Sequence, residues 1–186
     1  NKQVKASDFV ETSVSGKYQL YIGFFGCIRA TIKNIKFKNV DIVITYPSSL
    51  SNSSYISYTG VVAAKADGSN FDNIIFESGY LEAKKSDYIG LFCAYIGGIS
   101  VTNSVNYIDI MGSGYSVVRL FTGTTVDDAS TYLCYNNINY GDVLYAKAVY
   151  SMYEDTDEVI CNNKNYGVFD VVNGVNGIPS YEEEST

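Results

Sequence analysis

Residues 105–110 read VNYIDI, residues 138–143 read INYGDV and residues 164–169 read KNYGVF. An Asn-Tyr pair followed by Ile or Gly therefore returns after 33 and then 26 residues. Recurrence at such a spacing is the mark of a chain built from stacked supersecondary units. Working outward, each stretch follows a shorter signature, an Asn two places after an apolar or Cys residue. It occurs as Ile32-Lys33-Asn34-Ile35, Phe71-Asp72-Asn73-Ile74, Val101-Thr102-Asn103-Ser104, Cys134-Tyr135-Asn136-Asn137 and Ile160-Cys161-Asn162-Asn163, with Asn-to-Asn steps of 39, 30, 33 and 26.

A second mark precedes the Asn. An aromatic residue opens a short, mostly apolar run at Tyr21-Ile22-Gly23-Phe24-Phe25-Gly26, Tyr58-Thr59-Gly60-Val61-Val62, Tyr88-Ile89-Gly90-Leu91-Phe92 and Tyr115-Ser116-Val117-Val118, with a fifth copy starting at Tyr145 or Tyr150. Within the units the polarity alternates with a period of two, as at Ile35 and Phe37 against Lys36 and Lys38, or Ile108 and Ile110 against Asp109. That is strand patterning. One such unit cannot bury its apolar face alone, but stacked units can. The expected fold is all-β: a parallel β-helix (β-solenoid) of about five coils. At about 4.8 Å between neighbouring strands its core is about 24 Å long.

Stacking gives the repeated Asn a role. An amide both donates and accepts, so Asn over Asn forms a hydrogen-bonded ladder. Asn also tolerates the left-handed backbone that a corner demands. Asn34, Asn73, Asn103, Asn136 and Asn162 are therefore expected to point inward or line a corner rather than hold a ligand. Tyr107, Tyr140 and Tyr166 are expected to form a second ladder, with Gly141 and Gly167 beside it where the backbone bends.

The pattern Tyr-Ile-Gly-Phe-Phe-Gly, Ala-Thr-Ile-Lys-Asn-Ile and Val-Asp-Ile (21–26, 30–35, 40–42) resembles the GLUG-type repeats of bacterial surface proteins. Those run as an aromatic before Val-Gly-Gly-Leu-Val-Gly, then Thr-Ile-x-Asn-Cys, then Gly-x-Val. Tyr88-Ile89-Gly90-Leu91-Phe92 with Gly97-Gly98-Ile99 and Val101-Thr102-Asn103-Ser104 is the closest second copy. The resemblance spans about residues 17–170. It departs from the pattern at Arg119 and Leu120, and has almost faded in the fifth unit. It implies a right-handed β-helix in a large secreted or surface-anchored, adhesin-like protein, and it brings no catalytic signature.

Composition agrees with strands and turns. Tyr supplies 18 of 186 residues, Phe nine and Trp none, with two prolines. The only helix-forming run is Leu81-Glu82-Ala83-Lys84-Lys85. The formal charge is −7, with 13 cationic against 20 acidic residues. A nucleic-acid partner needs a basic stripe, and none is written here, since Lys33, Lys36 and Lys38 split between two strand faces. No apolar run is long enough to span a bilayer as a helix. The absence of a signal peptide and of an initiating Met reads as an excised segment of a longer precursor.

Cys27, Cys93, Cys134 and Cys161 are spaced by 66, 41 and 27, with no CxxC and no His anywhere. That spacing matches no metal motif. The cysteines are read as small buried hydrophobes, with one disulfide between neighbouring segments as the alternative. No catalytic, cofactor or metal residue is assigned. Residues 1–16 are expected to be a linker or N-terminal cap, 17–170 the repeat domain, and 171–186 (VVNGVNGIPSYEEEST) a turn and acidic tail. Pro47–Ser54 is a Ser-rich insertion in which Asn52-Ser53-Ser54 matches a glycosylation acceptor. Glu154-Asp155-Thr156-Asp157-Glu158 is a solvated acidic loop or, alternatively, a calcium site, although it lacks EF-hand spacing.

Three functions follow. The first is a non-enzymatic, extracellular adhesin-like or structural module of a cell-surface protein, joined to the remainder of that protein and contacting a glycan or protein ligand. The second is a viral or phage fibre segment that binds surface glycans. The third is a polysaccharide-acting β-helix enzyme, for which Asp109 with Asp142, or Asp127 with Asp128, would have to be the paired carboxylates.

Overall fold

A computed structural model describes residues 12–14, 17–44, 55–121, 133–150, 160–172 and 175–176. The described residues are all-β and contain no helix. The first pass of the chain holds β1 (Thr12–Val14), β2 (Lys17–Ile22), β3 (Phe25–Ile28), β4 (Thr31–Phe37) and β5 (Val40–Val43). The second holds β6 (Tyr55–Gly60), β7 (Ala63–Phe76) and β8 (Gly79–Glu82). The third holds β9 (Tyr88–Gly90), β10 (Cys93–Thr102), β11 (Val105–Asn106) and β12 (Asp109–Met111). The fourth holds β13 (Val117–Arg119), β14 (Cys134–Tyr135), β15 (Ile138–Asn139) and β16 (Val143–Ala146). The fifth holds β17 (Ala148–Tyr150), β18 (Ile160–Cys161), β19 (Lys164–Asn165) and β20 (Phe169–Val171), and β21 (Val175–Asn176) follows.

The strands form three sheets, which the chain visits in rotation. The first runs β1-β2-β6-β9-β13-β17-β21. The second runs β18-β14-β10-β7-β11-β15-β19, with β3 and β4 also on β7. The third runs β20-β16-β12-β8-β5. Every pairing is parallel except β1 on β2, an antiparallel strand that finishes one edge of the first sheet. Parallel pairing needs a crossover between neighbours, and here the crossover is the walk through the other two sheets.

Register follows the repeated Asn. Lys33 pairs with Asp72, Asp72 with Thr102, Thr102 with Tyr135 and Tyr135 with Cys161, so the following Asn residues fall in one column. All five sit in the left-handed region, with φ between 53° and 57°. A β-branched or bulky residue is strained there, whereas Asn is tolerated. The aromatic mark holds for Tyr21, Tyr58 and Tyr88. It then fails: Tyr88 pairs with Val117, which pairs with Ala148, so neither Tyr115, Tyr145 nor Tyr150 continues the column. Tyr115 is an exposed residue of the turn before β13, and Tyr145 is an exposed residue of the third sheet.

The core lies between the sheets. Phe71, Phe76, Phe92, Phe121, Leu81, Ile74, Ile89, Ile108 and Ile110 are fully buried. Phe92 gathers Phe71 and Phe76 at 5.2 Å and Phe121 at 5.8 Å between ring centroids. Ile108 and Ile110 point in and Asp109 out, as the alternation requires.

The cysteines divide. Cys93 and Cys134 are buried thiols, but Cys27 is exposed, contrary to the expectation of burial. It lies on the first pass, where among the described residues β3 pairs with β7 alone. The side chain of Cys161 lies outside the described residues. Burial pushes the Cys93 thiol up to about 12, against a smaller opposing pull from the Arg119 charge. Only a thiolate reacts readily. Peptide mapping after alkylation of the native protein is expected to find Cys27 modified, and Cys93 and Cys134 intact until denaturant is added.

Candidate functional site: an exposed tyrosine ladder

The corner between β11, β15 and β19 on one side and the third sheet on the other is built on three buried amides. Asn106, Asn139 and Asn165 are fully inaccessible to solvent. Asn106 donates through Nδ2 to Asn139 Oδ1 at 2.8 Å, and Asn139 donates to Asn165 Oδ1 at 2.7 Å. Each amide also ties down its own corner. Asn106 Nδ2 donates to the Ile108 carbonyl at 3.0 Å and Asn106 Oδ1 accepts from the Ile108 N–H at 3.1 Å. Asn139 donates to the Gly141 carbonyl at 2.8 Å and Asn165 to the Gly167 carbonyl at 3.0 Å.

With the Asn turned in, the next residue turns out. Tyr107 and Tyr140 stack at 4.8 Å with 4° between ring planes, and Tyr140 and Tyr166 at 5.0 Å with 10°. The spacing equals the distance between neighbouring strands, so the backbone sets it. Tyr107 is 50% exposed and Tyr140 37%. A Cβ at Gly141 would lie 1.9 Å from the Ile108 carbonyl oxygen, so the corner beneath the ladder closes only without a side chain there.

A second buried amide column runs beside the first. Asn137 Oδ1 accepts from the Ser104 N–H at 3.0 Å, and Asn163 Oδ1 accepts from the Asn137 N–H at 3.0 Å. Asn137 donates to the Val101 carbonyl at 2.9 Å and Asn163 to the Cys134 carbonyl at 2.8 Å. The residues expected inside are therefore displaced by one or three positions. Asn34, Asn73, Asn103, Asn136 and Asn162 do line a corner, but they are exposed. They form an outer ladder: Asn73 donates to Asn34 at 2.8 Å, Asn136 to Asn103 at 3.0 Å and Asn162 to Asn136 at 2.7 Å.

The outer ladder changes partner once. Asn103 donates to Asp72 Oδ1 at 2.8 Å instead of to Asn73, and Thr102 Oγ1 donates to the same oxygen at 2.8 Å. The Asn103 amide, then the Thr102 hydroxyl and, more weakly, Lys33 pull the Asp72 carboxyl below its ordinary value of 3.8, against the opposing effect of burial. A carboxyl lowered by folding stabilises the fold above its unfolded pKa, and that contribution is lost as pH falls through the folded value. The acid side of the stability–pH curve is therefore expected to be shallower in Asp72→Asn than in wild type. Coincident urea midpoints for the two proteins between pH 5 and pH 2, at every step, would remove Asp72 from the account.

Asp109 and Asp142 occupy one column on adjacent passes, as read from the sequence. Asp109 Oδ1 accepts the Asp142 N–H at 2.9 Å, and Asp142 Oδ1 accepts the Val168 N–H at 2.8 Å. Each acid holds the backbone of the next pass. Asp127, Asp128, the acidic run 154–158 and the Ser-rich stretch 47–54 lie outside the described residues. Among the described residues no group of His, Cys, Asp and Glu is arranged to hold a metal, and no helix is long and apolar enough to cross a membrane.

A second aromatic column lies where the first sheet meets the second, apart from the main core. Tyr21 and Tyr58 stack at 5.3 Å, and Tyr58 and Tyr88 at 5.0 Å. Tyr58 is buried, which pushes its phenol up to about 12, with the neighbouring tyrosines adding to the shift. The column ends at Arg119. This buried residue pairs with Gly90, sets its guanidinium 4.9 Å from the Tyr88 ring centroid and donates to the Ala94 carbonyl. The departure from the Gly-rich pattern at Arg119 is thus a cation–π end stop on a structural stack.

Comparison of the chain with protein-family models, with curated proteins and with solved structures gives no match in any of the three.

Proposed function

We propose that the three sheets are the walls of a right-handed parallel β-helix of about five coils, and that the chain is a non-enzymatic, extracellular, adhesin-like module of a cell-surface protein. The rotation of the chain through three parallel sheets supports the helix. Its hand follows from the right-handed preference of crossovers between parallel strands. The likeness to GLUG-type surface repeats belongs to the same proposal.

The observation that carries the function is the Tyr107–Tyr140–Tyr166 ladder. Tyrosine on a surface joins an apolar body to a polar tip and is enriched where proteins bind one another. Here three rings stand in a fixed row, Tyr107 and Tyr140 exposed and Tyr166 half-buried, and buried amides hold them in place. Stacked rings face one another, so the row offers ring edges and phenol tips at a repeat of about 5 Å. That array suits an extended, hydroxyl-bearing or amide-bearing polymer, a surface glycan or a matrix protein. Asp109 and Asp142 support a binding rather than a catalytic reading, because each already holds a backbone amide.

The test is a glycan and extracellular-matrix array probed with wild type, Tyr107→Ala and Tyr140→Ala. A specific ligand is expected for wild type, with affinity lowered about tenfold or more in each variant, in the range of an aromatic hot spot. A ligand bound equally by all three proteins would move the site off the ladder. No ligand for the folded wild-type protein would leave a spacer module in place of an adhesive one.

A further inference from the structure

The three sheets are not finished alike at the start of the chain. In the first sheet β1 lies beyond β2 as one extra strand. Among the described residues nothing occupies the corresponding layer over β3 and β4 in the second sheet or over β5 in the third. The cost is visible column by column. Ile35 is 39% exposed, whereas Ile74, its partner one strand further in, is fully buried. Phe24, Phe25 and Val43 on the same pass are exposed as well. Open strand edges with apolar side chains are what natural sheets avoid or use for docking.

Charge narrows the occupant. Residues 17–44 carry five cations (Lys17, Arg29, Lys33, Lys36 and Lys38) against the single acid Asp41, a net of +4 within a chain of −7. Lys36 of β4 and Lys38, the residue that follows the strand, both reach Glu77, at 3.7 and 3.1 Å, and their side chains remain 45% and 62% exposed. Such exposed pairs hold their partners weakly. Phe37, between them, turns to the core.

We propose that the open edge of β4 is a docking site for an extended acidic strand of a partner protein, added edge-on to the second sheet. Main-chain hydrogen bonds continue the ladder, and alternate side chains select the sequence. In register with Lys36, Phe37 and Lys38 the fitting pattern is acid, apolar, acid. The apolar residue lies over Phe37 and the acids face the lysines. One strand is the right thickness, because β1 has already built that layer on the first sheet. A second copy stacked end-on would meet β1 first and leave the second and third sheets one strand short.

The test titrates the full chain with a dye-labelled Glu-Val-Glu-Val-Glu-Val peptide, and with its Lys-Val counterpart, by fluorescence anisotropy. Saturable binding of the acidic peptide alone is expected. Affinity should fall about tenfold or more in 0.5 M salt, which screens exposed charges. A similar loss is expected in Lys36→Glu/Lys38→Glu. Lys36→Gln/Lys38→Gln gives the readout if charge reversal beside Glu77 disturbs the fold, as judged by circular dichroism. Amide signals of residues 31–37 should shift on binding. Several results overturn the proposal: no saturable binding, or equal binding of both peptides. Concentration-dependent self-association that the lysine variants abolish would make a second copy the occupant. Slow amide exchange throughout β4 in the peptide-free monomer would show the edge already covered by the chain itself.

Discussion

Asn139→Leu is expected to lose about 3–5 kcal/mol of folding stability. Asn139 is the middle rung of the inner amide ladder, fully buried, with Asn106 above and Asn165 below. Leucine nearly fills the volume but replaces no hydrogen bond. The Asn165 carbonyl oxygen and the Gly141 carbonyl lose their donor, and the Asn106 amide keeps only its bond to Ile108. Each buried polar group left unsatisfied costs about 1–3 kcal/mol. Against a total of about 5–15 kcal/mol for a domain this is a large fraction. Asn136→Gly is the matched control. Asn136 is exposed at φ 56°, a conformation glycine adopts freely, so its loss should stay within about 0.5 kcal/mol. Urea unfolding of the two variants checks the contrast, and equal midpoints would put the buried ladder in the wrong column.

Gly141→Ala is expected to cost about 3 kcal/mol, at the upper end of what overpacking does. The added Cβ would lie 1.9 Å from the Ile108 carbonyl oxygen and 2.7 Å from Asn106 Nδ2. The first contact is with backbone, so no side-chain rotation relieves it. The corner must open, and Tyr140 moves with it, so the variant should also weaken binding in the array experiment if the proposed ladder site is correct. Gly26→Ala is the comparison, since its Cβ would meet nothing within 4 Å. Thermal melts that place the two alanine variants together would mean that the corner is looser than the structure shows.

Much of this arrangement could be read from letters alone, for identifiable reasons. Asn34, Asn73, Asn103, Asn136 and Asn162 were legible because a left-handed corner restricts the residue type, so the same letter returns at each pass. The tyrosine column was legible because Asn106, Asn139 and Asn165 precede it in the same register. What escaped was which amide is buried. In the doublets Asn136-Asn137 and Asn162-Asn163 the first residue takes the corner and faces solvent, and the second turns inside. Ser104 and Ile74 stand where the earlier passes lack the second amide. The doublets themselves were the available signal.

The aromatic mark misled for a different reason. Tyr115 imitates the Tyr that opens the earlier runs, but register is fixed by backbone pairing, and there Val117 takes the place. Arg119 then caps the stack that Tyr115 was expected to continue. The burial of Cys27 was misjudged because composition does not say which pass lies at an edge.

The contact between passes can be trapped covalently. Val105 and Ile138 are direct partners on β11 and β15. Neighbouring strands lie about 4.8 Å apart, within the about 4.4–6.8 Å between Cα atoms that a disulfide accepts. In a Cys27→Ser background, Val105→Cys/Ile138→Cys should close a disulfide under mild oxidation and raise the melting temperature. The off-register pair Val105→Cys/Tyr140→Cys should stay reduced. Bridging of the second pair but not the first would contradict the register on which both the amide ladder and the tyrosine row depend.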